Sequence, residues 1–165
     1  MWDTILPTMV GGLLAIGGGF AGTAFTSNVE RRNRRKAVAG AIGGEIGALI
    51  EICEFRRYLE GFDALIAHGE RTGEEQGFGL AVRQNYFVVF DAHVASVGSL
   101  PPAMARDVVR FYVMAKSFLE DAVDAIEGSI PPGEALQRLR TTRSLLDEIL
   151  GLGRVLVTRL DAISR

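Results

Sequence analysis

The sequence predicts an all-α protein: an N-terminal single transmembrane helix followed by an antiparallel bundle of about four helices. Three observations carry that expectation. The 26 residues from Thr4 to Val29 bear no charge, and Arg31, Arg32, Arg34, Arg35 and Lys36 follow almost at once. Beyond residue 36, apolar residues recur at helical spacing in long segments punctuated by Gly and Pro. No stretch sustains the alternation of a half-buried strand; NYFVVFD is the one short strand-like run, and helical spacing continues through it.

The opening run is long enough for a bilayer core, which about 20 helical residues cross. Gly11, Ala15, Gly18 and Gly22 recur at steps of four, three and four, so they share one stripe. Small-residue stripes let membrane helices approach closely, which makes these four a candidate packing face. A secretory signal places bases before its apolar core. Here Asp3 precedes the run and the bases follow it. The positive-inside rule then predicts a single-pass protein of the bacterial inner membrane, with its N-terminus outside and residues 37–165 cytoplasmic. The basic block reads as a topology signal, with Arg31, Arg32, Arg34, Arg35 and Lys36 contacting the headgroups of anionic lipids. The division expected is 1–36, an anchor with its basic juxtamembrane segment, and 37–165, the bundle domain.

The first soluble helix is expected over about 30–68, continuous with the anchor or close behind it. Val38, Glu45, Ile52, Leu59 and Ile66 recur every seven residues, with Ala41, Ala48, Phe55 and Phe62 beside them. Gly40, Gly43, Gly44 and Gly47 interrupt it, each at about 1 kcal/mol against alanine, which implies a close contact or a bend. His68-Gly69 reads as its stop, and Glu70–Gly79 as a loop. A second helix follows over about 80–97, with Phe87, Phe90, Val94 and Val97 inward. Ser99-Leu100-Pro101-Pro102 opens a third over about 102–127. Val108, Ala115 and Ala122 share a side there with Tyr112, Leu119 and Ile126. Ser129-Ile130-Pro131-Pro132 repeats that opening, and a last helix spans about 132–162. Two stripes run along it, Thr142, Ile149, Leu156 and Ile163 beside Leu139, Leu146, Gly153 and Leu160. Short connections between helices favour antiparallel neighbours.

Charge is unevenly spread. The chain carries a formal net charge of −2, yet residues 30–36 hold Glu30 and five bases, and residues 37–165 hold 13 Lys/Arg against 18 Asp/Glu. Nucleic-acid binders usually spread bases over a folded face, so no nucleic-acid partner is expected. The single cysteine, Cys53, excludes an intrachain disulfide and multi-cysteine metal sites.

Motifs that carry chemistry are scarce. GGGFAG lacks the lysine and the strand context of a phosphate loop. The two histidines, His68 and His93, stand in different elements, and neither has a ligand at a helical step of three or four. Glu120, Asp121, Asp124 and Glu127 form an acidic side but lack the Glu-x-x-His step of di-iron bundles. Cys53 reads as a small buried hydrophobe. No catalytic residue, cofactor or metal is assigned. Glu45 is the residue of interest, because a carboxylate on an apolar stripe must be paired, hydrogen-bonded, protonated or turned to water. It either faces solvent at a glycine bend, meets a partner's arginine, or serves a proton or metal. Gly40, Gly44 and Glu45 therefore form a possible interface.

Over residues 86–121 the chain resembles short bacterial membrane-anchored helical proteins that carry an acidic residue, a leucine, two prolines and an Arg-Asp-Val-Val-Arg-Phe-Tyr-like helix. Here these are Asp91, Leu100, Pro101, Pro102, Arg106 to Tyr112, and Glu120-Asp121. The resemblance implies a bacterial helical domain and transfers no functional residue.

Together these readings predict a non-catalytic accessory or scaffold subunit. It would pack in a membrane assembly through its spanning helix, against a membrane protein or a second copy of itself, and through its bundle. The alternative is a membrane-tethered bundle that senses a ligand, binds metal or acts as an enzyme. A cavity lined by Phe87, Phe90, Phe111 and Tyr112 would serve the ligand-sensing version. A self-assembling pore is the remaining possibility that the glycine stripe permits.

Overall fold

The computed structural model describes the backbone of residues 2–73, 85–126 and 133–165, and the side chains of residues 28–73, 85–121 and 133–165. The described backbone is helical nearly throughout. Helix α1 spans Trp2–Phe55, α2 Tyr58–Thr72, α3 Val88–His93, α4 Pro102–Ile126 and α5 Ala135–Ser164, with a 3-10 segment, Val94–Ser99, joining α3 towards α4.

Among the described residues, no helix is long and apolar enough to cross a membrane. This corrects the expectation of a transmembrane anchor followed by a separate bundle. The backbone is continuous through the basic block, which is one of the two arrangements expected there. One 54-residue helix runs straight through it, and its described side chains are first charged and then amphipathic. With the spanning helix go the single-pass topology, the inner-membrane location and the outward N-terminus. The partners that depended on it go as well: a membrane protein or second copy held through that helix, and anionic lipid. The side chains of Gly11, Ala15, Gly18 and Gly22 lie outside the described residues, as does most of the expected loop at 70–79.

The apolar side of α1 is Val38, Ala39, Ile42, Ile46 and Ile50, all buried. These follow steps of three and four, not the seven-residue row that includes Ile52. Ala48 and Ile52 are exposed, and Phe55 is 89% exposed. After Phe55 the chain bends at Arg56-Arg57. Arg57 takes a left-handed conformation (φ 53°), which costs a non-glycine residue roughly 1 kcal/mol. The helix resumes as α2 and runs past His68-Gly69. It stops at Gly73, whose φ of 69° suits glycine and whose N–H bonds back to the Gly69 carbonyl.

Helix α5 is the centre of the bundle. Its end at Ser164 lies beside Gly40, Leu160 beside Gly43, and Val157 beside Gly47, so it runs antiparallel to α1. Arg143–Asp63 and Arg140–Glu70 continue that pairing along α2. Arg159–Asp107 and Arg138–Asp121 set α4 antiparallel to it on another side. Helices α1 and α4 thus run the same way, and α3 with the 3-10 segment packs against both.

Gly153 marks the crossing. A Cβ placed there would lie 2.9 Å from Phe111 Cε2, 3.0 Å from Ile50 Cδ1 and 3.4 Å from Ile46 Cγ2. Side chains of α1 and α4 therefore occupy the space where α5 has none. Gly153→Leu is expected to destabilise the fold by about 3 kcal/mol through overpacking. At Gly44 a Cβ meets nothing within 4 Å. Gly44→Ala should stabilise by about 0.5–1 kcal/mol through helix propensity alone. Denaturant midpoints of the two variants check both signs.

Candidate functional site

Helix α3 begins without a side chain able to cap it. Its N-cap position is Phe87, and the first amides of any helix need partners from elsewhere. Glu45 of α1 supplies them. The Val89 amide donates to Glu45 Oε1 at 2.7 Å and the Phe90 amide to Oε2 at 3.0 Å. The Tyr112 hydroxyl of α4 donates to Oε2 at 2.7 Å. One carboxylate thus joins α1, α3 and α4. Burial, followed by the Glu45 hydrogen bond and its charge, pushes the Tyr112 hydroxyl far above its ordinary value of 10.0.

An aromatic cluster surrounds this bond. Phe90 stacks on Tyr112 with centroids 3.8 Å apart, and Phe87 and Phe111 meet the same ring edge-on at 5.7 and 5.3 Å. Lys116 lies over Phe87 and Phe90 and donates to Asp91 at 3.0 Å. That bond, with a second from Asn85, holds the Asp91 carboxyl below its usual range.

Phe87 and Phe111 present their other sides to a cavity of about 70 Å³ that is open to solvent on one side. It lies at the α1–α2 bend. Ile52, Cys53 and Tyr58 border it there, and Ala115 and Ile149 border it from α4 and α5. Its lining is almost all carbon. Cys53 is its one thiol. Burial, and next the charge of Glu54, raise that thiol above its ordinary value, while Arg56 opposes them.

The structure places the other expected residues as follows. Gly40 faces Ser164 of the same chain, and Gly44 is exposed with open space over it. Glu45 bonds within the chain, to two amides and a phenol, and not to an arginine. Arg31, Arg32, Arg34 and Arg35 are exposed on α1 where it runs past the end of α5, and Lys36 donates to the backbone oxygen of Arg165. Of the acidic side of α4, Asp121 pairs with Arg138; the side chains of Asp124 and Glu127 lie outside the described residues. His93 Nδ1 bonds the Val89 carbonyl oxygen one turn earlier.

Among the described residues, no group of three His, Cys, Asp or Glu is placed to hold a metal ion. This corrects the metal-binding alternative, as the missing spanning helix corrects the accessory-subunit and membrane-tethered readings. Ligating residue types are present but not convergent. No family model matches the chain, and no curated protein or solved structure matches it.

Sequence reasoning found Glu45 but not its role, since the two amides it caps are 44 and 45 residues away. The available signal was an uncapped helix start at Phe87 together with an otherwise unexplained carboxylate.

Removing the carboxylate leaves three donors without a partner. Glu45→Leu should destabilise by about 3 kcal/mol, and Glu45→Gln by about half that, because its amide turns one donor towards another. Tyr112→Phe should cost about 1.5 kcal/mol at neutral pH. The raised Tyr112 value fixes the sign of a pH effect: the unfolded chain releases the phenolic proton first. The stabilisation is therefore complete below the ordinary tyrosine value and is lost as pH rises above it. Urea unfolding from neutral to strongly alkaline pH should show that slope in the native protein and a flatter one in Tyr112→Phe.

Proposed function

We propose that this bundle is a binding module for a small, uncharged apolar ligand, held in the cavity at the α1–α2 bend. The observation that carries the reading is an opening in the core lined by carbon and floored by aromatic rings. A polar ligand would lose its hydration there and gain almost nothing, whereas an apolar one gains about 25 cal/mol for each Å² it buries. The cavity volume suits one ring or a short alkyl chain, with any remainder of the molecule passing through the open side.

The module is proposed to act without catalysis. The one reactive group at the cavity is Cys53, and its raised value keeps it a thiol, whereas the thiolate is the nucleophile. The rings are held by the Glu45–Tyr112 bond, so the site exists before the ligand arrives, and a preformed site loses less affinity to ordering.

Titration of the full chain with benzene, followed by methyl NMR, and with the neutral dye N-phenylnaphthylamine, followed by fluorescence, tests the proposal. Saturable binding is expected for the native protein. Ala115→Leu fills the cavity and should abolish binding while leaving the fold at least as stable. Binding that survives Ala115→Leu, or no binding by the native protein, would overturn the reading. Alkylation of Cys53 gives a second readout. It should be slower than that of free cysteine, should accelerate as pH rises beyond the ordinary thiol value, and should slow further when the dye is bound.

A further inference from the structure

A second site stands at the other end of the molecule. Helix α1 extends beyond the end of α5, and the step between them forms a groove of about 550 Å³. Arg31, Arg32, Arg35 and Lys36 line it from α1, Ser99 from the end of the 3-10 segment and Arg165 from the end of α5. None of the described residues lining it has an acidic side chain. Beside it, Glu30, Arg34 and Gly98 border a second hollow that shares Arg31 and Ser99 with the groove.

The contrast with the rest of the chain makes the groove informative. Arginines 57, 110, 138, 140, 143, 154 and 159 each face a carboxylate. Arg31, Arg32, Arg34 and Arg35 make no ion pair among the described residues. They also crowd one another. The pairs 31/34, 31/35, 32/35 and 32/36 stand three or four residues apart on a helix, where like charges repel. Arg56, Arg71, Arg106 and Arg165 also make no ion pair among the described residues, but they stand apart from one another, whereas these four stand together at the edge of a concave surface. Lys36 already serves the negative end of α5 through its bond to Arg165, so the arginines are not needed there.

We propose that this groove binds a small, multiply charged phosphate compound such as a nucleoside triphosphate or a short polyphosphate. Guanidinium forks match phosphate oxygens two at a time. Arginines one helical turn apart offer such forks to neighbouring phosphates, and the groove falls within the size range of small-molecule sites. Three or four negative charges would relieve the repulsion among the arginines. The groove and the apolar cavity are separate sites with opposite chemistry, so neither depends on the other.

The test is calorimetric titration of the full chain with inorganic tripolyphosphate and with ATP, at low and at physiological salt. Single-stranded RNA and anionic phospholipid vesicles are run in parallel. One tripolyphosphate per chain is expected, with affinity falling as salt rises. The double variant Arg31→Gln/Arg35→Gln should weaken binding at least about tenfold, as the loss of two charge-assisted contacts implies. Arg34→Gln, at a residue that does not line the groove, should change it less than about threefold. Circular dichroism confirms that each variant keeps its helices. An equal loss in Arg34→Gln and the double variant would mean diffuse attraction and no groove, and would overturn the proposal. So would binding confined to RNA or to vesicles, or no binding of tripolyphosphate at low salt.

Discussion

The carboxylate of Glu45 is the constraint on which one side of this bundle depends. Helices α1 and α4 run in the same direction, and what joins them on that side is a six-residue helix too short to hold its own form. A single turn of helix fixes many dihedral angles for very few hydrogen bonds. Helix α3 persists because α1 supplies the cap its own sequence lacks, and because Phe90 stacks on the ring whose hydroxyl binds the same carboxylate. The three bonds converge from two other elements, so any change that moves α1 against α4 stretches all of them. A hydrophobic contact tolerates a shift of half an ångström; charge-assisted hydrogen bonds of 2.7–3.0 Å tolerate far less.

Apolar packing and ion pairs divide the remaining work unequally. Along α5, Leu139, Leu146, Ile149, Leu150, Leu156 and Leu160 are buried, and burial of one such side chain contributes roughly 1.5–3 kcal/mol. The ion pairs between α5 and its neighbours are exposed or half-exposed, and surface pairs contribute about 0–1 kcal/mol each. Their value lies in register. Arg154 to Glu54, Arg143 to Asp63 and Arg140 to Glu70 follow one antiparallel alignment along α1 and α2. A slip of one helical turn would break all three pairs and, in one direction, would set Asp63 against Asp147. Gly153 fixes the same alignment sterically, since only a residue without a side chain fits where Phe111 and Ile50 meet.

Helix α5 was legible in the sequence because its pattern is regular. Both expected stripes, Leu139, Leu146, Gly153 and Leu160 beside Thr142, Ile149 and Leu156, are buried, and only Ile163 at the end of the second is half-buried. The start of α4 after Pro101 was legible for the same reason, proline at a helix start having one physical meaning. Helix α1 was misread where glycine dilutes the pattern. With Gly40, Gly43, Gly44 and Gly47 contributing no signal, a seven-residue row through Glu45 and Ile52 looked as good as the true one. The uncharged run before it matched the length of a membrane span, and length and charge alone cannot say what a helix packs against. The Arg57 bend left no trace, because arginine is not a residue that announces a left-handed turn. Val94 was placed inward by continuing a helical period, but the chain tightens to 3-10 geometry after His93, and Val94 is exposed. The cavity could not be read at all. It is a property of where four helices and the segment before α3 stop filling space; of the four rings expected to line one, Phe87 and Phe111 do, while Phe90 and Tyr112 do not, and Tyr58, Tyr86 and Phe118 line it unannounced.

The persistence of that cavity follows from the same parts. An opening in a core normally collapses as neighbouring side chains move in, and the cost of the void depends on how far they can. Here the neighbours are held. Phe87 and Phe111 are fixed edge-on against Tyr112, which is itself fixed by Glu45. Ile50 is pinned beneath Gly153. On the remaining side the backbone turns away at Arg57, so Tyr58 enters at the new angle of α2. Ala115, the residue of α4 that faces the space, is too small to fill it. The polar bond that lets α3 exist also prevents the aromatic rings from relaxing inward, and a capping interaction on one face of the bundle thereby holds open an apolar space on another.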